Sequence, residues 1–276
     1  MVAYTRTEVL ARLHRQLEAG RSILMFGAGT GLTARCAELG GADLIGVYST
    51  AWNRMQARPS LLAWLPYGDV NEELARWAPE ILPAVRETPC IAGIGAHDPR
   101  RSHERLIAEA LALGFSGVTN EPFVGLYGPA FAAELEAAGI GFSREVELIA
   151  RAHQRDVFTV GWAFTSEEGR RMAEAGADVV GAIVGVTAGG LTGAQKTLGL
   201  DAATDVVGAI CAAAKEVRPD VMVIAHGGPF KDPETAAYAI AHSEAVGYAA
   251  GSSGERVPTE QAVTEMTARY KAIPLG

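Results

Sequence analysis

Short, almost wholly apolar runs alternate along the chain with longer stretches in which apolar residues recur every three or four positions. The runs at 22–27 (SILMFG), 43–49 (DLIGVYS), 90–95 (CIAGIG), 117–120 (GVTN), 157–164 (VFTVGWAF), 178–185 (DVVGAIVG), 221–226 (VMVIAH) and 245–251 (AVGYAAG) predict eight β-strands. Strands that read apolar throughout suit a parallel sheet covered on both faces. Helical patterns at 32–40, 102–114, 166–176 and 201–217 lie between them, several ending in the glycine expected at a helix C-terminus. Eight such units predict an α/β fold, a single (β/α)8 TIM barrel. The N-terminal helix within 1–20 would close its lower end, with 21–276 forming the barrel and 1–276 one domain.

Two stretches break this rhythm. Residues 50–71 (TAWNRMQARPSLLAWLPYGDVN) are too long for a plain connection and carry two tryptophans, which suggests a lid or binding loop. The stretch after the fourth strand holds two helices where one would do. A doubly wound sheet is the competing fold, because a glycine-rich turn (MFGAGTGL) joins the first strand to a helix. A nicotinamide-dependent oxidoreductase of that kind needs a carboxylate at the end of the second strand for the ribose, and Tyr48 and Ser49 stand there instead.

Composition narrows the class. The chain has 276 residues, 49% hydrophobic and 20% charged, enough for one large core. Net charge is -8 and the basic residues are scattered, which argues against nucleic acid as a partner. No stretch reaches the roughly 18 apolar residues of a membrane span, so a soluble, cytoplasmic protein is expected. Cys36, Cys90 and Cys211 lack metal or redox spacing and read as buried packing residues in a reducing compartment. Apolar barrel helices, with Trp52, Trp64 and Trp77, suggest a homo-oligomer surface or an aromatic lid.

In a TIM barrel the chemistry sits just beyond the C-terminal ends of the strands. Those positions are Gly27 and Gly29 (strand 1), Ser49 (2), His97 and Asp98 (3), Asn120 and Glu121 (4), and Trp162 (5). Thr187 follows strand 6; His226, Gly227 and Gly228 follow strand 7; Ser252, Ser253, Glu255 and Arg256 follow strand 8. The last two loops, AHGGP and GSSGER, pair bare backbone with a guanidinium fork, a combination suited to a carboxylate or phosphate. The bland alternative is that Glu255 and Arg256 cap the last helix and pair at the rim, and that His97 is a helix-entry residue. His14, His103, His153 and His242 lie within helical patterns and read as ordinary surface or packing residues.

The ordered motifs FGAGTGLTARCAELGGADLI, LPYGDVN, AGIGAHDP, GFSGVTNEPFVGL, EAGADVV, GVTAGG, AHGGP and GSSGERVPTE together resemble the phosphoenolpyruvate hydrolase-like family, whose domain also occurs in Tm-1-like proteins. The resemblance runs from about residue 20 to the C-terminus. It implies a barrel like those of the phosphoenolpyruvate mutase and isocitrate lyase superfamily, which make or break C–C or C–P bonds beside a 2-oxo acid, usually with magnesium. The chain departs from that pattern at 49–52 and at Glu121, and it lacks closely spaced aspartates after strands 2 and 3, where Asp98 is the one metal candidate.

The combined expectation is a hydrolase or lyase acting on a small anionic 2-oxo acid or 1,3-dicarbonyl compound. Arg256 and the glycines at 227–229 would hold the anion, and His226, Glu121 or Glu255 would move the proton. Asp98 and Asn120 would orient water or Mg2+. A non-catalytic ligand-binding or signalling barrel is the alternative.

Overall fold

The computed structural model describes residues 3–275. Eight parallel strands close into one barrel in sequence order: β1 Ile23–Gly27, β2 Leu44–Val47, β3 Cys90–Ile94, β4 Gly117–Asn120, β5 Phe158–Ala163, β6 Val179–Ile183, β7 Met222–His226 and β8 Gly247–Ala250. Closure is made by β8 against β1, with Met25 opposite Ala249. The doubly wound alternative is therefore overturned. Every predicted strand is present; Ser49, placed by the sequence at the end of the second, instead opens a helix, Ser49–Met55.

Period-two alternation decides what each strand residue does. Inward positions Ile23, Met25, Leu44, Ile91, Phe158, Val160, Val179, Met222, Ile224 and Ala249 fill the barrel. Continuing the same alternation to the upper rim brings Tyr48, Trp162 and His226 inward, with Glu121 one residue beyond β4. Two large rings fit there because the layer beneath them is glycine. A Cβ on Gly46 or Gly93 would lie within 2.4 Å or 2.3 Å of Tyr48, and one on Gly181 within 2.1 Å of Trp162.

The lower end is stoppered as the sequence suggested. The helix Arg6–Glu18 drives Val9 and Leu13, both fully buried, into the inward cluster. Arg6 fixes its entry by donating to both oxygens of Asp178, at 3.0 and 3.1 Å from Nε and 2.7 Å from Nη2. The predicted pair of helices after β4 is found at Pro129–Ala137 and Phe142–Gln154.

The last helix, Arg256–Lys271, does not return to the barrel: Arg256 is its one buried residue, and Val263, Met266 and Tyr270 are exposed. Beneath the place it leaves open, the outward residues Leu24 and Phe26 of β1 are only half-buried, whereas Ile45, Val47, Ala92 and Ile94 on the next two strands are buried. Leu32 and Leu39, on the flanking helix Gly31–Leu39, are 75% and 71% exposed. Cys36 on that helix is also exposed, correcting the expectation of three buried cysteines; Cys90 and Cys211 are buried. Among the described residues no helix is long and apolar enough to cross a membrane.

Candidate active site

The barrel mouth encloses a cavity of about 50 Å3 lined by Tyr48, Thr50, Arg54, Trp64, Glu121, Phe123, Trp162, Thr187, His226 and Ser252, among others. By the same measure one water needs about 10–15 Å3, so the space suits a small ligand and not an extended one. The segment 50–71 closes part of it through Thr50, Arg54, Ser60 and Trp64, as its length suggested. Trp64 is held in place by its indole N–H, which donates to Phe123 O at 2.6 Å. Trp52 and Trp77 instead stack on each other at 5.0 Å.

Glu121 is the carboxylate of this cavity. It is 2% exposed and accepts from Ser49 Oγ at 3.2 Å and from Thr50 N at 3.3 Å. Burial outweighs these bonds and the nearby Arg54 charge, and pushes the carboxyl up to about 7. Near neutral pH it is therefore divided between acid and base forms.

Opposite chemistry governs His226. Burial pushes its imidazole down to about 4, so it is neutral at pH 7. Nδ1 stands 2.7 Å from Ala249 O. A carbonyl can only accept, so Nδ1 carries the proton and Nε2 is left as an acceptor. Tyr48, pushed by burial to about 12, keeps its hydroxyl proton. The Trp162 indole N–H is buried without any hydrogen-bond partner among the described residues.

Arg54 is 4% exposed and spans two elements. Its Nε donates to Glu255 Oε2 at 2.6 Å, and Nη2 donates to Gly27 O. The other Glu255 oxygen accepts from Gly29 N and from Thr33 Oγ1, both at 2.6 Å. Glu255 is thus saturated by the protein. It belongs to the wall that fixes Arg54, and it does not line the cavity.

The remaining sequence candidates are distributed as follows. Thr187 and Ser252 line the cavity, and Ser49 orients Glu121. Asn120 points outward: its Oδ1 accepts from Trp162 N at 2.8 Å and its Nδ2 donates to Glu145. His97 and Asp98 lie in an adjoining cleft of about 600 Å3 that shares Trp64 and Phe123 with the cavity. Asp98 caps the turn at Arg100 N and Arg101 N (2.8 and 3.0 Å) and pairs with Arg101, far from a poised base. Gly227 and Gly228 adopt φ of 84° and 54°, and Gly228 N donates to Gly185 O at 3.1 Å, which stitches two loops together. Ser253 Oγ meets Tyr248 OH at 3.2 Å. Arg256 Nη1 donates to Glu260 at 2.7 Å and Nη2 to Gly189 O at 2.8 Å, so both ends of the fork expected to hold the substrate are taken at the rim, while its buried Nε has no partner among the described residues.

Three residues that matter here were absent from the sequence candidates: Arg54, Tyr48 as a functional group, and Glu145. Glu145 is fully buried and takes Val124 N at 2.7 Å, fixing the strap that carries Phe123. Burial pushes it up to about 8. Among the described residues no three His, Cys, Asp or Glu side chains are grouped so as to hold a metal ion.

The two raised carboxyls make stability depend on pH in a defined sense. Each binds its proton more tightly when folded, so stability falls as pH rises from the unfolded value near 4.5 through the folded values. His226, lowered on folding, acts oppositely below pH 6.5. Between pH 6.5 and 8 Glu121 and Glu145, the two carboxyls raised furthest, dominate, and unfolding free energy is expected to drop by about 2 kcal/mol, at ~1.4 kcal/mol per group per pH unit. Urea unfolding across that window checks this; a flat or rising curve would contradict the burial of both groups.

Comparison with known proteins places the chain. The sequence model of the phosphoenolpyruvate hydrolase-like family matches residues 8–273. The ToMV resistance protein Tm-1(GCR237) of Solanum lycopersicum is 41% identical over 271 residues, covering 98% of this chain and 36% of that protein. The chain thus spans about a third of the length of that relative. Among solved structures, phosphonopyruvate hydrolase in complex with oxalate and Mg2+ superposes with a TM-score of 0.63 at 20% identity, over 97% of this chain and 87% of the other. Oxaloacetate acetylhydrolase gives 0.61 at 14% identity, over 95% and 87%. The strand order, the barrel-mouth cavity and a match over nearly the whole chain agree: this protein belongs to the phosphoenolpyruvate hydrolase-like family.

Proposed function

We propose that the chain is a hydrolase or lyase that cleaves the C–C or C–P bond next to the carbonyl of a small 2-oxo acid. The observation that carries this reading is Glu121, a buried carboxyl held near 7 on a cavity also lined by the Arg54 guanidinium and the neutral His226. The family match and the fold shared with phosphonopyruvate hydrolase and oxaloacetate acetylhydrolase support it.

For a phosphonopyruvate-like substrate the atoms balance simply. Water oxygen bonds to phosphorus, the C–P electron pair passes into the pyruvate enolate, and C3 is then protonated to give pyruvate and phosphate. Glu121 in its base form takes the proton from water. Arg54 and Tyr48 OH supply the positive edge that the enolate and carboxylate oxygens require. His226, neutral with Nε2 as acceptor, orients the water or a substrate hydroxyl. Cavity size favours three- or four-carbon acids over extended 1,3-dicarbonyl compounds. Incubation with phosphonopyruvate, oxaloacetate and longer acylpyruvates, followed by NMR, tests this: conversion confined to the short acids is expected, and preferential cleavage of the long ones would overturn it.

We also propose that the protein assembles as a homo-oligomer in which Arg256–Lys271 of one copy covers the half-bare outer face of β1 on another. A parallel strand normally has both faces covered; the helix, polar over most of its length, exposes Val263, Met266 and Tyr270, and the open face exposes part of Leu24 and Phe26. Light scattering on the purified chain is expected to report a dimer or higher. Charged substitutions at Val263 and Met266 should shift it to monomer, and a monomeric wild type would remove this part of the reading.

A further inference from the structure

The fold neighbour with oxalate holds Mg2+, and a hard divalent cation needs a shell of oxygen ligands, commonly including one or two carboxylates. The donor set of this barrel mouth does not meet that need. Glu121 is the carboxylate facing the cavity. Both Glu255 oxygens are taken by Gly29 N, Thr33 Oγ1 and Arg54 Nε, and Asp98 is bound to Arg101 in the adjoining cleft.

A cation is nevertheless built into the wall. Two of the three Arg54 nitrogens are pinned, on Glu255 and on Gly27 O, and the Tyr48 hydroxyl lies beside the same guanidinium; Nη1 has no carboxylate or carbonyl partner among the described residues. That nitrogen lies toward Gly251 and His226: a Cβ on Gly251 would come 3.5 Å from it and 3.1 Å from the imidazole. Gly251 therefore keeps the approach to both groups open. The guanidinium is preorganised, nearly dry and permanently charged, and a divalent ion placed beside it would be repelled.

We propose that Arg54 supplies, from within the chain, the positive charge that receives the substrate's carboxylate, and that a small dianion binds this cavity without a divalent metal. This inference rests on the substrate class proposed above and adds that the chemistry needs no metal loading. Glu121, relieved of metal ligation, is left available as the base.

The test is calorimetric titration of oxalate into the full chain stripped of metal with EDTA, repeated with Mg2+, for wild type and for Arg54→Lys. Wild type is expected to bind with a Kd that changes by less than about threefold between the two conditions, whereas Arg54→Lys weakens binding at least about tenfold in both, because the single nitrogen of an ammonium cannot occupy the Nε and Nη2 positions on Glu255 and Gly27 O and also the separate Nη1 position beside Gly251. Binding that appears only with Mg2+ overturns the inference alone, as does full-strength binding by a folded Arg54→Lys. No binding in either condition removes the substrate class together with the inference. Should Arg54→Lys fail to fold, the wild-type comparison with and without Mg2+ decides by itself.

Discussion

Replacing Glu121 by Gln is expected to lower the rate of bond cleavage by at least about a hundredfold while the barrel stays folded. The fold should tolerate the change because one amide oxygen can accept from both Ser49 Oγ and Thr50 N, which already approach the same carboxyl oxygen at 3.4 and 3.3 Å. What disappears is the ability to take a proton. In wild type the rate should rise with pH through about 7, since burial holds the carboxyl there and the base form is the active one. A Gln variant with more than a tenth of wild-type activity, or a profile that falls across pH 7, would assign the base elsewhere.

Glu255→Ala is expected to destabilise the fold by about 3–5 kcal/mol, the usual consequence of stranding a buried charge. Arg54 would lose its partner at 4% exposure, and Gly29 N and Thr33 Oγ1 would lose their acceptor. The double variant Arg54→Met, Glu255→Leu should regain much of that loss, because no isolated charge is left behind. Urea unfolding of the three proteins measures it. A loss under about 1 kcal/mol for the single variant would mean that the pair is solvated, contrary to its burial.

The fold was legible because each strand is apolar on both faces and each connection has helical spacing, so the eight units could be counted directly. The site was legible only where a residue follows a strand directly. Glu121, just beyond β4, and Trp162 and His226, at the ends of β5 and β7, were singled out this way, because strand alternation and barrel geometry together send them inward to line the cavity. Arg54 was hidden because it lies mid-helix in a stretch that read as a loop; its function comes from meeting Glu255, 201 residues away, which no local pattern records. Glu145 left a trace: it interrupts the buried stripe Phe142, Leu148, Ile149, Ala152 of its helix, and a carboxylate on a buried stripe must have a partner. Arg256 was singled out for the opposite reason. A guanidinium beside bare backbone looks like an anion clamp, yet Glu260 one helical turn later claims it.

Glu121 is expected to drive the cleavage of a small 2-oxo acid. A 31P NMR time course of phosphonopyruvate with wild type and with Glu121→Gln tests it most directly. Phosphate released by wild type and nearly abolished in the variant is the expected result; phosphate released equally by both would contradict it.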